Sequence, residues 1–193
     1  MPQPIVFVGG VHGSGKSTLS RYLAGALPAA HVTAGGLIRE AASADHVVTV
    51  GAQGKMVPDV DANQAVLLRG LSAFQARTSD DPRPLLLDGH FTLMNPEGEI
   101  VEVPAKVFAV IAPVAVLLVE ADAAVVHRRL AERAPEAPSA DVIAALAARE
   151  RARATATAGA LQVPIFSLAG DGSIEQEGQG VVDSLRRLVG GAA

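Results

Sequence analysis

The chain has 193 residues, 49% of them apolar and only 3% aromatic, and this suits a single domain (1–193) with an aliphatic core. A net charge of −4 without a basic tract argues against a dedicated nucleic-acid binder, and zero cysteines exclude disulfides and thiolate metal sites. The amino terminus carries neither a basic leader nor a cleavage signal, so a cytoplasmic protein is expected.

In chain order, Pro4-Ile5-Val6-Phe7-Val8 reads as a short buried strand. Gly10-Val11-His12-Gly13-Ser14-Gly15-Lys16-Ser17-Thr18 then satisfies the phosphate-loop (Walker A) pattern of Gly, four residues, Gly, Lys and Ser or Thr. Gly10, Gly13 and Gly15 let successive backbone N–H groups turn toward phosphate oxygens, with Ser14 and Thr18 in the same cradle. Lys16 supplies a charge for the β- and γ-phosphates, and the Ser17 hydroxyl is a ligand for Mg²⁺. His12 either approaches a phosphate or faces solvent. Leu19, Tyr22, Leu23 and Leu27 recur at helical spacing, so strand, glycine loop and helix follow in the order that aims a helix N-terminus at an anion.

Pro28 ends that helix, and His31-Val32-Thr33 reads as a strand. Gly35-Gly36 is expected as a turn opening a helix that carries Arg39. Residues 47–60 read as irregular, with Gly51, Gly54 and Pro58 as breakers. Asp61 and Gln64 suggest a capping box before a helix with Leu67, Leu71 and Phe74 on one face. Leu85-Leu86-Leu87 is a buried strand ending in Asp88-Gly89-His90. Residues 91–102 read as a loop, 103–111 as a short helix and 114–119 as a strand. Pro104, Lys106 and Pro113 interrupt that apolar region, so no membrane span is expected. Asp122 caps a helix to about Arg133, and a Pro-rich break precedes a long Ala- and Arg-rich helix to about Ala160. Val163 to Leu168 is the last strand, before an amphipathic helix with Val181, Val182, Leu185, Leu188 and Val189.

Five short apolar strands alternating with helices predict an α/β fold, a three-layer α/β/α P-loop architecture with a five-stranded parallel sheet. Ligands of such sheets lie beyond the strands' carboxyl ends, an edge expected to collect Gly10, Thr33 and Asp88. Asp88 there either reaches a metal, as a Walker B carboxylate does, or closes a turn. Arg39 either clamps an acceptor phosphate or is a solvated helix residue. Arg129 and Arg133 stand four apart, as do Arg149 and Arg153 beyond the Pro-rich break, which suits a short lid over about 133–142. The alternative is an exposed face paired with Glu132, Glu136 or Glu150. His90 either contacts the acceptor, orients Asp88 or is structural.

Thr33-Ala34-Gly35-Gly36-Leu37-Ile38-Arg39-Glu40-Ala41 resembles the acceptor motif Ser-Thr-Gly-Asp-Leu-Leu-Arg of adenylate kinases, within the nucleoside-monophosphate kinases. Arg129-Leu130-Ala131-Glu132-Arg133 is similar to that family's Arg-x-x-x-Arg entering the lid, and Asp88-Gly89-His90 with Pro96-x-Gly98 looks closest to the archaeal members. Ala34 and Gly36 stand where the motif carries Thr and Asp, and no second acceptor arginine follows Gly89. The resemblance implies a nucleotide-kinase-like fold with an acceptor segment over about 34–80, where Thr33, Gly35, Arg39 and His90 bind substrate. It implies Arg129 beside the donor adenine, and Arg133 with one of Arg149, Arg151 and Arg153 on the phosphates.

The expected activity is ATP- and Mg²⁺-dependent phosphoryl transfer to a small-molecule acceptor, first a nucleoside monophosphate. Two alternatives stand beside it. One is a hydroxyl kinase of the shikimate- and gluconate-kinase type, with Asp88 or His90 as base. The other is an ATPase switch acting on a protein partner. A monomer or small homo-oligomer is expected.

Overall fold

The centre of the molecule follows from strands that are apolar on both faces, since only a sheet covered on both sides can bury them. In the computed structural model, which describes residues 3–44, 60–95, 97–134, 136–172 and 174–190, β1 (Ile5–Gly9) is buried along its whole length. It lies between β3 (Leu85–Asp88) and β6 (Ala115–Glu120). With β2 (Ala30–Thr33) and β7 (Ile165–Ala169) at the edges, the order is β2-β3-β1-β6-β7 and every pairing is parallel. The five-stranded parallel sheet expected from the sequence is therefore present.

Side chains alternate between two cores because successive residues of a strand point to opposite faces. Val6, Val8, Leu86, Leu117 and Val119 meet α1 (Lys16–Ala26) and α7 (Ile174–Gly190). Phe7, Leu85, Leu87, Val116 and Leu118 meet the opposite layer, made of α2 (Ala34–Ala44), α3 (Val60–Arg77), α4 (Ala105–Ile111) and α6 (Ala140–Leu161). The few aromatic residues concentrate here. Phe7 meets Phe91 and Phe108 edge-on at 4.9 and 5.2 Å, and Phe91 stacks on Phe108. A small third cluster joins Val11 of the phosphate loop to Val126 and Leu130 of α5 (Ala123–Ala131) and Ile143 of α6. No helix among the described residues is long and apolar enough to cross a membrane.

Four local expectations differ from the structure. Residues 91–102 are not all loop: β4 (Thr92–Met94) and β5 (Ile100–Glu102) form an antiparallel hairpin. Three-residue strands are too short to give a period, and the Asn95 side chain closes the turn by accepting from the Glu99 N–H at 2.8 Å. Gly35 and Gly36 lie inside α2, which starts directly after β2. Thr33 Oγ1 caps it by accepting from the Gly36 N–H at 3.0 Å. Asp61 lies within the first turn of α3, not ahead of it, so the expected capping box does not form. α5 ends at Ala131, two residues before Arg133. The Asp122 cap is present, accepting from the Ala124 N–H at 2.8 Å. The expected irregular stretch lies outside the described residues up to Val60, which begins α3, and Pro96 lies outside them too.

α2 and α3 approach closely at Gly70, where a Cβ would stand 2.6 Å from the Leu37 carbonyl oxygen. Gly70→Ala would gain about 1 kcal/mol of helix propensity, but a backbone atom at that distance must move. Overpacking of this kind costs about 1–3 kcal/mol. A net loss of stability is expected in urea unfolding, and a midpoint at or above wild type would refute this packing.

Candidate active site

β1 feeds directly into the phosphate loop, and the loop is held by packing that excludes side chains. Gly10 has φ +136°, and a Cβ there would stand 2.3 Å from the Val119 carbonyl oxygen of β6. On the other side, a Cβ on Gly170, just after β7, would stand 1.7 Å from the Ser14 carbonyl oxygen. The loop is thus clamped between two strand ends. α1 begins at Lys16, and its first-turn N–H groups and the positive end of its dipole face the cradle. Ser14 is fully buried, whereas Ser17 and Thr18 are exposed at that helix start.

Lys16 is only 7% exposed and folds back onto its own loop. Its Nζ donates to the carbonyl oxygens of Gly10 at 2.5 Å and Val11 at 3.1 Å. Burial lowers the Lys16 pKa, and the charges of Asp88 and Glu150 oppose that shift. Asp88 ends β3 in register with Val8 and Thr33, so the expected edge of Gly10, Thr33 and Asp88 is assembled. Burial raises the Asp88 carboxyl, while Lys16, His31 and a hydrogen bond from Ser17 pull it back. His31 Nε2 lies 3.9 Å from Asp88 Oδ2. The Ser17 hydroxyl and the Asp88 carboxylate together are hard oxygen donors of the kind Mg²⁺ takes, completed by water and phosphate. No cluster of three or more His, Cys, Asp or Glu among the described residues would cage a metal by itself.

His12 and His90 stand side by side, with ring centroids 4.2 Å apart. The His90 pKa is pushed well below its ordinary value, first by burial and then by the Lys16 and His12 charges; a hydrogen bond to the Gly10 backbone opposes this. His90 is therefore a neutral imidazole at neutral pH, with one acceptor nitrogen.

The sequence reading missed Glu150, and α6 delivers it into the middle of the site. It is 1% exposed. Its Oε1 accepts from the N–H groups of Gly10 and Phe91, each at 2.9 Å, and its Oε2 accepts from the Thr92 N–H and hydroxyl, each at 2.6 Å. One carboxylate thereby ties α6 to the phosphate loop and to the chain between β3 and β4. Glu150 sits between Arg149 and Arg151, which made it look like a surface pair. The available signal was the stripe Ile143, Glu150, Ala154, Ala158, all buried on one helix face.

The arginines separate. Arg129 Nη1 donates to the carbonyls of Gly13 at 3.1 Å and Gly170 at 3.2 Å, so it braces the loop from outside. Arg133 is exposed: its backbone N–H donates to the Leu130 carbonyl at 3.0 Å, and its side chain makes no hydrogen bond to a described residue. Arg149 and Arg153 are held at β5 instead of converging on the loop. Arg149 lies 3.4 Å from Glu102, and Arg153 donates twice to the Val103 carbonyl, at 3.1 and 2.7 Å. Arg151 pairs with Glu120. Arg39 is exposed on α2, with Nη1 3.4 Å from where a Gly35 Cβ would stand.

A left-handed glycine loop, a buried lysine and a strand-end aspartate on this parallel sheet define a P-loop nucleotide-binding protein. A model of the AAA domain family matches residues 9–147, and the chain belongs to that family. The fold is that of small kinases. A sugar kinase from a Janibacter species superposes with a TM-score of 0.58 at 18% identity, covering 95% of each chain. A gluconokinase from Sinorhizobium meliloti gives 0.56 at 14%, over 99% of this chain and 95% of that one. Shikimate kinase from Aquifex aeolicus gives 0.56 at 14%, over 94% and 96%. No curated protein matches the sequence.

Two measurements check this electrostatic arrangement. Glu150→Ala leaves four buried donors unpaired, so a loss of at least about 3 kcal/mol is expected in chemical unfolding. Glu150→Gln should fall between, because its amide nitrogen cannot accept, and equal stability of all three proteins would contradict the network. For His90, the unfolded state binds the proton more readily than the folded state. Its contribution to stability is full above the unfolded value near pH 6.5 and is lost as pH falls toward the lowered folded value. Wild type should lose more stability than His90→Gln between about pH 6.5 and pH 5. Parallel stability curves would count against it.

Proposed function

We propose that the protein transfers the γ-phosphoryl group of ATP, with Mg²⁺, to a hydroxyl group of a small molecule. The observation that carries this reading is a division of labour at the sheet edge. Asp88 is engaged with Ser17, as a metal-side carboxylate would be, while a separate neutral imidazole, His90, stands at the loop with an accepting nitrogen. A hydroxyl nucleophile needs a proton acceptor; the phosphate of a nucleoside monophosphate, already anionic, does not. In the reaction the acceptor oxygen bonds to the γ-phosphorus, the bond from that phosphorus to the β,γ-bridging oxygen breaks, and ADP leaves. The hydroxyl proton passes to His90. Positive charge from Lys16, the loop N–H groups and the start of α1 stabilises the spreading negative charge. Mg²⁺ would neutralise phosphate oxygens from the side of Ser17 and Asp88. Bound triphosphate offsets the Lys16 charge that helps to depress His90, which makes the imidazole a better base when it is needed.

The chain-length likeness to proteins described as sugar, gluconate and shikimate kinases supports a hydroxyl acceptor. The engagement of Arg149 and Arg153 at β5 supports it as well. A nucleoside-monophosphate acceptor, as in adenylate kinases, is the second reading, and one observation favours it: Arg39 lies over Gly35 at the start of α2.

A coupled assay of ATP consumption over a panel of nucleoside monophosphates and hydroxylated metabolites tests both readings. Hydroxyl acceptors should turn over, Asp88→Asn should be severe, and Arg39→Ala should leave the acceptor KM near wild type. Turnover of nucleoside monophosphates alone would overturn the proposal, with Arg39→Ala then raising their KM roughly thirty- to a hundredfold. ATP hydrolysis unaffected by any acceptor would instead indicate a switch.

Lys16→Ala should fold normally and slow transfer about a hundredfold or more. Undiminished turnover in the folded mutant would remove the mechanism.

A further inference from the structure

We propose, building on the hydroxyl-kinase reading, that the cleft between the phosphate loop and α6 is the acceptor pocket, and that it takes a small alcohol with an apolar body. The cleft encloses about 560 Å³ of space, open mouth included. Its walls come from four parts of the fold: Val11 of the loop, Leu93 and Met94 of β4, Leu130 of α5, and Ile143 and Leu146 of α6. Val142 at its rim is a large apolar side chain left 41% exposed.

The polar groups in this wall define what the pocket accepts. Glu150 and Thr92 are bonded to each other and to backbone N–H groups, so they add charge without offering an open donor array. A carboxylate or phosphate on the acceptor would be set against the buried Glu150 charge and apolar walls, which disfavours an anion. His12 and His90, paired at 4.2 Å, are the polar end of the cleft. His90 can accept one hydroxyl there, and Val11 and His12 belong to the phosphate loop itself. An alcohol with its hydroxyl at the histidines and its body along Leu93, Ile143 and Leu146 matches this layout. Removing apolar surface from water then supplies the affinity.

The test uses the full chain and a series of 1-alkanols from ethanol to hexanol, with sodium gluconate as the polar comparison. Binding is followed by calorimetry without nucleotide, and phosphoryl transfer is followed with ATP and Mg²⁺. Affinity should rise roughly fourfold per added methylene. Val142→Asp, at the exposed rim where folding is not at risk, should weaken hexanol binding about tenfold or more. A flat series, tighter binding of gluconate than of hexanol, unchanged hexanol binding in Val142→Asp, or displacement of hexanol by ATP would each overturn the proposal. The last outcome would assign the cleft to the donor base. Transfer to gluconate with a flat alkanol series would sink the pocket and leave the kinase reading standing. Graded alkanol binding with no transfer to any hydroxyl acceptor would keep the pocket and remove the kinase reading.

Discussion

A carboxylate taken out of water is tolerated only where hydrogen bonds replace its hydration, and Glu150 meets that condition with four donors at 2.6 to 2.9 Å. Its partners belong to stretches far apart in sequence: the first glycine of the phosphate loop and the residues leading into β4. Gly10 in turn offers the carbonyl that Lys16 holds, so the lysine's resting position depends on the same knot. The hairpin β4–β5 starts at Thr92, which gives Glu150 two of its donors. Through this one side chain α6, the hairpin and the nucleotide cradle are mechanically one unit.

The electrostatics around that unit are those of a site prepared for a polyanion. Lys16 is buried between two carboxylates, Asp88 and Glu150, and burial works against its charge. It satisfies its protons on the carbonyls of Gly10 and Val11, bonds it must exchange for phosphate oxygens when nucleotide enters. Burial disfavours the charged form of both Lys16 and His90, and the neighbouring Lys16 and His12 charges add to that effect at His90 alone. An incoming triphosphate relieves both, because its negative charge favours a protonated lysine and a more basic imidazole.

The arginines of α5 and α6 depart from the arrangement that the nucleotide-kinase resemblance implies, in which they reach the phosphates. Arg153 and Arg149 are engaged with Val103 and Glu102, so much of the positive charge on α6 holds the hairpin in place. Arg129 stays with the loop, on the carbonyls of Gly13 and Gly170. What lines the cleft instead is largely aliphatic. In the proposed reading, the acceptor side of the site is governed by apolar contact and two histidines more than by cation clamps.

Much of this was legible from residues alone. The phosphate loop is a contiguous motif whose chemistry is mostly backbone N–H groups and one lysine, so local sequence suffices to recognise it. The five apolar strands and the Asp122 cap are likewise local patterns. Tertiary structure alone decided which charged residues are buried. Glu150, Arg149, Arg151 and Arg153 look equivalent along one Arg-rich helix, yet a rotation of about 100° per residue sends Glu150 into the core and the arginines to β5 and Glu120. Gly170 could not be singled out either, because its role is a contact with Ser14 across 156 positions of chain. Local periodicity specifies elements, but the partners that stabilise a buried charge come from distant segments, and only their packing brings them together.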